Sequence, residues 1–106
     1  MARRIRAGES DPIHLVGVDF PIFRGEERIT LNAATAPCNL PANANRFILV
    51  AEGAAVRYRI NLNAGPASPG LVPENGIVDI VVGNMNTLSV YGAVGALANL
   101  LYFQQP

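Results

Sequence analysis

The last quarter of the chain carries no charged residue, and this feature constrains the fold most. Between Ile80 and Pro106 there is no Asp, Glu, Arg or Lys. Within it, residues 87–103 indicate two apolar strands folded about the glycines at 92 and 95. A small domain in water normally keeps charged residues on its exposed surface. We therefore expect this segment to lie in the core, in a subunit interface, or in both.

The composition also suggests a partly covered surface. With 106 residues the chain is long enough for one domain with a hydrophobic core. Half of its residues are hydrophobic and 15% are charged, whereas a soluble domain typically carries about 25% charged residues. A neutral surface rich in Asn, Gly and Ala is the alternative explanation. We favour burial of part of the surface against identical subunits or within a larger assembly.

Charge and cysteine content narrow the classes of partner and cofactor. The eight basic residues, all Arg, balance eight acidic ones, and a nucleic-acid binder needs a positive field, so no direct nucleic-acid partner is expected. The single Cys38 excludes an intramolecular disulfide and a thiolate zinc cluster, and no cofactor is expected. The N-terminus lacks the apolar stretch of a signal peptide, and no run of 18 apolar residues occurs. Synthesis in the cytoplasm and no membrane partner are therefore expected.

No group of residues has the spacing of a catalytic site. His14 is the one histidine, and its spacing from Asp11 or Asp19 matches no metal motif. Glu26 and Glu27 are adjacent, so their side chains would point to opposite faces of an extended strand. Two such carboxylates are a poor pair for glycoside hydrolysis, which needs both to face one bond. We expect a protein that is not an enzyme.

Strand and turn patterns alternate along the rest of the chain. Residues 1–11 are polar and aperiodic and are expected to form an extended N-terminal arm, with residues 12–106 as a single domain. Residues 56–62 show the clearest alternation, with apolar side chains at even positions and Arg or Asn at odd positions. Strands are predicted at 13–18, 28–32, 46–51, 56–62, 77–82, 87–91 and 98–103. Turns and loops are predicted at 24–27, 33–45, 52–55, 63–76 and 83–86, with 52–55 as a hairpin.

Short strands at spacings near ten residues are typical of a sandwich or barrel. We expect an all-β fold, either an antiparallel β-sandwich of jelly-roll type or a compact barrel, with about seven or eight strands. Residues 93–103 contain helix-forming Ala and Leu, so a helix is the alternative there. Their flanking glycines and the Tyr102–Phe103 pair favour a strand. Within the sheet, Asp79 is expected to pair with a cross-strand arginine such as Arg57 or Arg59.

Five short segments in the second half of the chain carry a resemblance to a known class of proteins. They are Pro-Ala-Asn-Ala-Asn at 41–45, Ala-Val-Arg-Tyr-Arg-Ile-Asn at 55–61, Ser-Pro-Gly-Leu-Val-Pro-Glu-Asn-Gly at 68–76, Leu-Ser-Val-Tyr-Gly-Ala-Val-Gly at 88–95 and Leu-Leu-Tyr-Phe at 100–103. In style and order they resemble small virion structural proteins of tailed bacteriophages. That class includes decoration or cement proteins that coat the capsid, and modules of head fibres or tails. The first 40 residues show no such resemblance.

The resemblance implies a non-enzymatic protein of the virion. The expected role is a capsid decoration or cement protein on the outer surface of a phage head, where it stabilises contacts between capsomers after synthesis in the host cytoplasm. The expected partners are the major capsid protein and further copies of this chain, with a trimer favoured. The alternative is an adhesion module of a head fibre or tail that recognises carbohydrate or a host surface through Tyr58 or Tyr91 and loop Asn residues.

Two groups of residues are candidates for these contacts. Those for capsid contact lie in the arm and the 64–76 loop: Arg3, Arg4, Arg6, Pro69 and Leu71. Those for the subunit interface lie in the uncharged segment: Tyr91, Leu97, Leu101 and Phe103.

Overall fold

The computed structural model describes residues 20–106, which form eight β-strands and no helix. The helix that was the alternative for residues 93–103 is therefore not formed: residues 93–96 are a turn and residues 97–103 belong to a strand. The predicted arm, the strand at 13–18 and His14 lie outside the described residues. The strands are β1 (Ile22–Thr30), β2 (Ala36–Pro37), β3 (Arg46–Glu52), β4 (Val56–Ile60), β5 (Gly70–Val72), β6 (Ile77–Val81), β7 (Leu88–Gly92) and β8 (Leu97–Gln104).

The strands form two antiparallel sheets of four strands each. Sheet 1 has the order β1-β8-β3-β6, and sheet 2 has the order β2-β7-β4-β5. Of the strands that follow one another in the chain, only β4 and β5 share a sheet. The other connections within the described residues pass from one sheet to the other. This strand order is that of a jelly roll, so the expected all-β sandwich is confirmed.

The core lies between the sheets and follows the alternation of each strand. In β8, Ala98, Leu100 and Tyr102 point inward and are no more than 1% exposed, while the residues between them face outward. Tyr58 of β4 also faces inward, and its ring meets that of Phe47 edge to face at 5.7 Å between centroids. Each fully buried Leu, Val or Phe side chain contributes about 1.5–3 kcal/mol to folding. The largest fully buried side chains are Tyr102, Phe47, Leu31, Leu49, Leu88, Leu100, Val56, Val72 and Val90.

The predicted turn at 24–27 is wrong, because these residues lie within β1. The register with β8 shifts between Phe23 and Gly25, which marks a β-bulge at Arg24. Gly25 has φ +150°, a conformation that suits glycine. Among the described strands β1 lies at the edge of sheet 1, so the exposed side chains of Arg24, Glu26 and Arg28 face solvent without breaking the strand, whereas Glu27 points inward. Charged residues and bulges are common on such edges, where they discourage pairing with other chains.

Two connections that were predicted to join paired strands instead join strands of different sheets, so they are not hairpins. Residues 53–55 lead from β3 in sheet 1 to β4 in sheet 2, and residues 93–96 lead from β7 in sheet 2 to β8 in sheet 1. The second connection is tied to the end of β1. The Leu31 N–H donates to the Ala96 carbonyl at 2.8 Å, and the Gly95 N–H donates to the Leu31 carbonyl at 3.0 Å. Gly95 has φ +89°, which other residues adopt at a cost.

The long loop predicted at 63–76 is shorter and less exposed than expected. It contains β5, and its Ala64 and Ser68 are buried, at 2% and 4% exposure. The loop begins where Asn61 adopts φ +62° and ends β4, so Leu62 is 56% exposed and does not continue the strand. The Asn61 side chain accepts a hydrogen bond from the Asn86 N–H at 2.7 Å and so fastens the loop to the β6–β7 connection.

Candidate interaction surfaces

The outer face of sheet 1 is apolar and partly open to solvent. Antiparallel register sets Phe23, Phe103, Arg46 and Val81 side by side across the four strands. Phe23, Ile77 and Val81 are 54%, 67% and 58% exposed. A shallow depression of about 500 Å³ lies between β1 and β3. We call this surface the sheet 1 face; its apolar residues are Phe23, Ile48, Val50, Ile77, Val81, Leu97, Leu101 and Phe103.

Both ion pairs found within residues 20–106 lie on the sheet 1 face. Arg28 pairs with Glu52 at 3.2 Å, and Arg46 pairs with Asp79 at 2.6 Å. The predicted pairing of Asp79 with Arg57 or Arg59 is therefore wrong, since those arginines lie in the other sheet. The hydrogen bond from Arg46 lowers the pKa of the Asp79 carboxyl. Arg28 and Arg46 are thus paired within one copy of the chain, whereas Glu26, opposite Leu101 on the same face, has no ion-pair partner among residues 20–106.

The outer face of sheet 2 is partly covered by the chain itself. The Ser89 hydroxyl accepts a hydrogen bond from the Ala64 N–H at 2.7 Å and donates to the Leu62 carbonyl at 2.9 Å. Thr35 donates from its Oγ1 to the Ala64 carbonyl at 2.5 Å. These bonds hold the loop at 61–69 against β7. Only the part of the face beyond this loop remains available to another molecule.

The uncovered part of sheet 2 forms a small depression with one arginine in it. Leu71, Arg57 and Tyr91 stand side by side on β5, β4 and β7. Arg57 donates from Nη1 to the Ser68 carbonyl at 2.6 Å, which fixes its guanidinium beside the loop. We call this the Arg57 depression. Its volume is about 290 Å³, and it is lined by Ala55, Arg57, Pro66, Leu71, Tyr91, Gly92 and Ala93.

Charge is divided unequally between the two sheets. The strands of sheet 1 contain three arginines and four carboxylates, a difference of −1. The strands of sheet 2 contain Arg57 and Arg59 and no carboxylate, a difference of +2. The zero net charge of the whole chain conceals this division. The two outer faces therefore differ in the partners that they can accept.

A third depression, lined largely by amides, lies at one end of the sandwich. It has a volume of about 500 Å³ and lies between the loops at 40–45 and 83–86. The Asn45 side chain is already engaged, because it donates to the Gln105 carbonyl at 2.9 Å and accepts from the Gln105 N–H at 2.6 Å. The amide residues of its lining are Asn43, Asn45, Asn84, Asn86 and Gln104.

The one titratable cluster that reaches the core joins Tyr102, Glu27 and Cys38, among the residues described. The Tyr102 hydroxyl donates to Glu27 Oε1 at 2.6 Å, and the Asn39 N–H donates to the same oxygen at 2.8 Å. Burial raises the pKa of the Cys38 thiol to about 12, and burial together with the bond to Glu27 raises the pKa of Tyr102. The thiol is therefore protonated at neutral pH and a poor nucleophile.

The residues predicted from the sequence do not form one site. Leu97, Leu101 and Phe103 share the sheet 1 face, whereas Tyr91 lies on the opposite outer face, beside Leu71 in the Arg57 depression. Pro69 is exposed just before β5. The candidates Arg3, Arg4 and Arg6 lie outside the described residues. The sequence reasoning missed the Arg57 depression, since the alternation of Arg57 with apolar residues indicated only that it faces outward.

Within residues 20–106 there is no helix long and apolar enough to cross a membrane. No group of three or more His, Cys, Asp or Glu side chains in that part of the chain could hold a metal ion. A scan against protein-family models, a search of curated proteins and a search of solved structures each found no match to this chain.

Proposed function

We propose that this chain is a non-enzymatic structural protein of a tailed-phage virion, acting as a capsid decoration or cement protein. It binds the outer surface of the head through the major capsid protein and stabilises contacts between capsomers. Copies of the chain associate, with a trimer as the favoured arrangement. The observation that carries the proposal is the sheet 1 face, which is apolar and has Arg28 and Arg46 paired with carboxylates of the same chain.

The chemistry of the sheet 1 face suits burial in an assembly. Covering apolar side chains such as Ile77 and Val81 releases about 25 cal/mol per Å² of apolar area. Covering a lone charge would oppose this gain, because the charge would lose its water. Arg28 and Arg46 already have carboxylate partners on the same face, so a neutral, apolar partner can lie over them. Leu97, Leu101 and Phe103 belong to this face and remain the subunit-interface candidates.

A cement protein acts only on the assembled shell. It binds sites formed where capsomers meet, so it stabilises the assembled state by mass action and adds nothing to free capsomers. Many modest contacts, repeated by the symmetry of the shell, then resist the pressure of packaged DNA. The jelly-roll fold is compatible with this role, since such sandwiches occur in viral capsid proteins and in lectins.

The direct test is to look for the chain in purified particles by mass spectrometry and electron microscopy. We expect it at symmetric positions on the outside of the head. Purified protein should bind undecorated capsids in a sedimentation assay, and deletion of residues 1–11 should reduce occupancy while the circular dichroism spectrum stays that of the intact chain. Absence of the chain from mature particles would contradict the proposal. Unchanged occupancy after the deletion would exclude the arm as a tether.

A matched pair of variants tests the sheet 1 face. Leu101→Asp places a charge on the face, whereas Val94→Asp places one in the β7–β8 connection, where Val94 is 74% exposed. Light scattering should show fewer oligomers for Leu101→Asp and an unchanged state for Val94→Asp. Equal association of the two variants would mean that the sheet 1 face is not the interface.

The amide-lined depression supports a second candidate function, an adhesion module that recognises carbohydrate. Amide side chains both donate and accept hydrogen bonds, as paired sugar hydroxyls require. Tyr58 is unavailable for stacking on a sugar, because it packs on Phe47 in the core. A glycan array with the intact protein and with Asn84→Ala, compared with capsid binding by the same samples, separates the two functions. Glycan binding lost in Asn84→Ala, without capsid binding, would favour the adhesion module.

A further inference from the structure

We propose that the Arg57 depression binds a short segment of a partner protein in which an Asp or Glu stands beside an aliphatic side chain. The site is defined by the residues of this chain and is separate from the sheet 1 face. It rests on the proposed function for one point only, namely that the partner segment then belongs to the capsid shell.

The lining of the depression provides the apolar half of the site. Leu71 is 49% exposed although it stands in a strand, and Pro66, Ala55 and Ala93 form the surrounding wall. Tyr91 is half-buried beside them. The shallow, aliphatic shape suits one Leu, Ile or Val side chain, which would be removed from water between Leu71 and the ring of Tyr91.

Arg57 provides the charged half of the site. One of its nitrogens is bonded to the Ser68 carbonyl, which orients the guanidinium and lowers the entropy that a ligand must remove. A guanidinium has five N–H donors in a planar fork that matches a carboxylate, so further donors remain for a ligand. Arg59 follows two positions later on the same side of β4 and adds to the positive field.

The uncompensated charge distinguishes these two arginines from the others that the structure describes. Arg28 and Arg46 pair with carboxylates, and Arg24 donates to the Gln104 side chain. Among residues 20–106, no carboxylate lies within ion-pair distance of Arg57 or Arg59. An acidic partner would therefore gain an ion pair here without breaking one that is formed among residues 20–106.

An acidic protein segment fits this charge better than a nucleic acid or a second copy of the same face. A nucleic acid presents a row of phosphates and is bound by many cations, whereas this face offers two beside an aliphatic wall. A second copy of the same face would bring like charges together. The combination of one or two carboxylates with an apolar side chain is found in a protein loop or terminus.

Nuclear magnetic resonance of the intact, ¹⁵N-labelled chain tests the proposal with two blocked peptides of equal length. One is acetyl-Gly-Leu-Glu-Leu-Glu-Gly-amide, and the other has Gln in place of each Glu. The Glu peptide should shift the signals of the Arg57 side-chain N–H, Leu71 and Tyr91, and the Gln peptide should bind about ten-fold more weakly. Added salt should weaken the binding of the Glu peptide and leave the binding of the Gln peptide unchanged.

Variants of the two sheets provide the control. The double variant Arg57→Gln, Arg59→Gln should abolish the preference for the Glu peptide, while Arg28→Gln on the sheet 1 face should preserve it. Equal affinity for the two peptides, no saturable binding of the Glu peptide, or tighter binding of an oligothymidine strand would each overturn the proposal. Absence of the chain from phage particles would leave this result standing, so the two proposals fail separately.

Discussion

Replacing Cys38 with alanine should reduce the loss of stability that the protein undergoes at alkaline pH. Burial raises the pKa of the Cys38 thiol from 9.0 to about 12 in the folded chain. Between these values the folded protein retains a proton that the unfolded chain has released. A pKa raised by folding stabilises the protein below the unfolded value, and that contribution is lost as the pH rises through the folded value.

The size of the effect follows from the width of this window. Each pH unit changes the free energy of unfolding by about 1.4 kcal/mol for one group, so three units give a loss of roughly 4 kcal/mol between about pH 9 and about pH 12. Burial also raises the pKa of Tyr102 above its ordinary value of 10.0. A second loss therefore begins above about pH 10, which makes the interval from pH 9 to 10 the clearest for Cys38.

Urea unfolding under reducing conditions measures both proteins across this interval. The wild-type free energy of unfolding should fall by about 1 kcal/mol from pH 9 to 10, and that of Cys38→Ala should stay nearly level. Below about pH 9 the alanine variant will be less stable than the wild type because it leaves a small cavity, and the cost of that cavity does not itself change with pH. Equal slopes for the two proteins would refute the argument that burial holds the proton on the thiol.

Substitutions at three further positions, with two controls, probe the core and the turns. Leu100→Asp should abolish soluble expression, because it places an unpaired charge where Leu100 is 1% exposed, whereas Leu71→Asp at an exposed position should express normally. Asn61→Ala should lower the free energy of urea unfolding by about 2–4 kcal/mol, because it removes the side-chain hydrogen bonds and places Ala at a positive φ. Asn61→Gly should recover about 1 kcal/mol of this loss, because glycine adopts a positive φ without that strain. Gly92→Ala should cost about 1–3 kcal/mol in the same assay, because its Cβ would approach the Leu31 side chain to 2.7 Å; unchanged stability would contradict that contact.

The existence of most strands could be predicted from local pattern. Alternation placed Val56, Tyr58 and Ile60 on the inner face, and the inner residues of β8 are buried as the uncharged segment indicated. Such patterns work because successive side chains of a strand point to opposite faces. They give the strand and its buried side, which is why the sandwich itself was predictable.

The pairing of the strands could not be predicted from the sequence in the same way, because the local pattern of a strand contains no information about which distant strand it pairs with. Asp79 binds Arg46 since β6 lies next to β3, a neighbourhood that depends on how the whole chain crosses between the sheets. The same reason explains the two connections mistaken for hairpins. The bulge at Arg24 was also missed, because a Gly flanked by charged residues looks like a turn when its edge-strand position is unknown.

The candidate surfaces were predicted in part. The uncharged segment pointed to the outward residues of β8, and Leu97, Leu101 and Phe103 do share one face. Tyr91 belongs to the same segment, but it lies on the other side of the sandwich because β7 is in sheet 2. The Arg57 depression required the loop and three strands to be placed together, and the total charge of the chain gave no sign of it.

The position of β8 has a consequence for how the protein is made. This strand lies between β1 and β3, so sheet 1 remains in two separate pieces until residues 97–104 have left the ribosome. During translation the apolar faces of the earlier strands stay exposed until β8 is synthesised. Strand pairings between distant parts of a chain also form slowly. Folding therefore follows the synthesis of β8, and a nascent chain halted before this strand exposes the surfaces that β8 covers and is prone to aggregation.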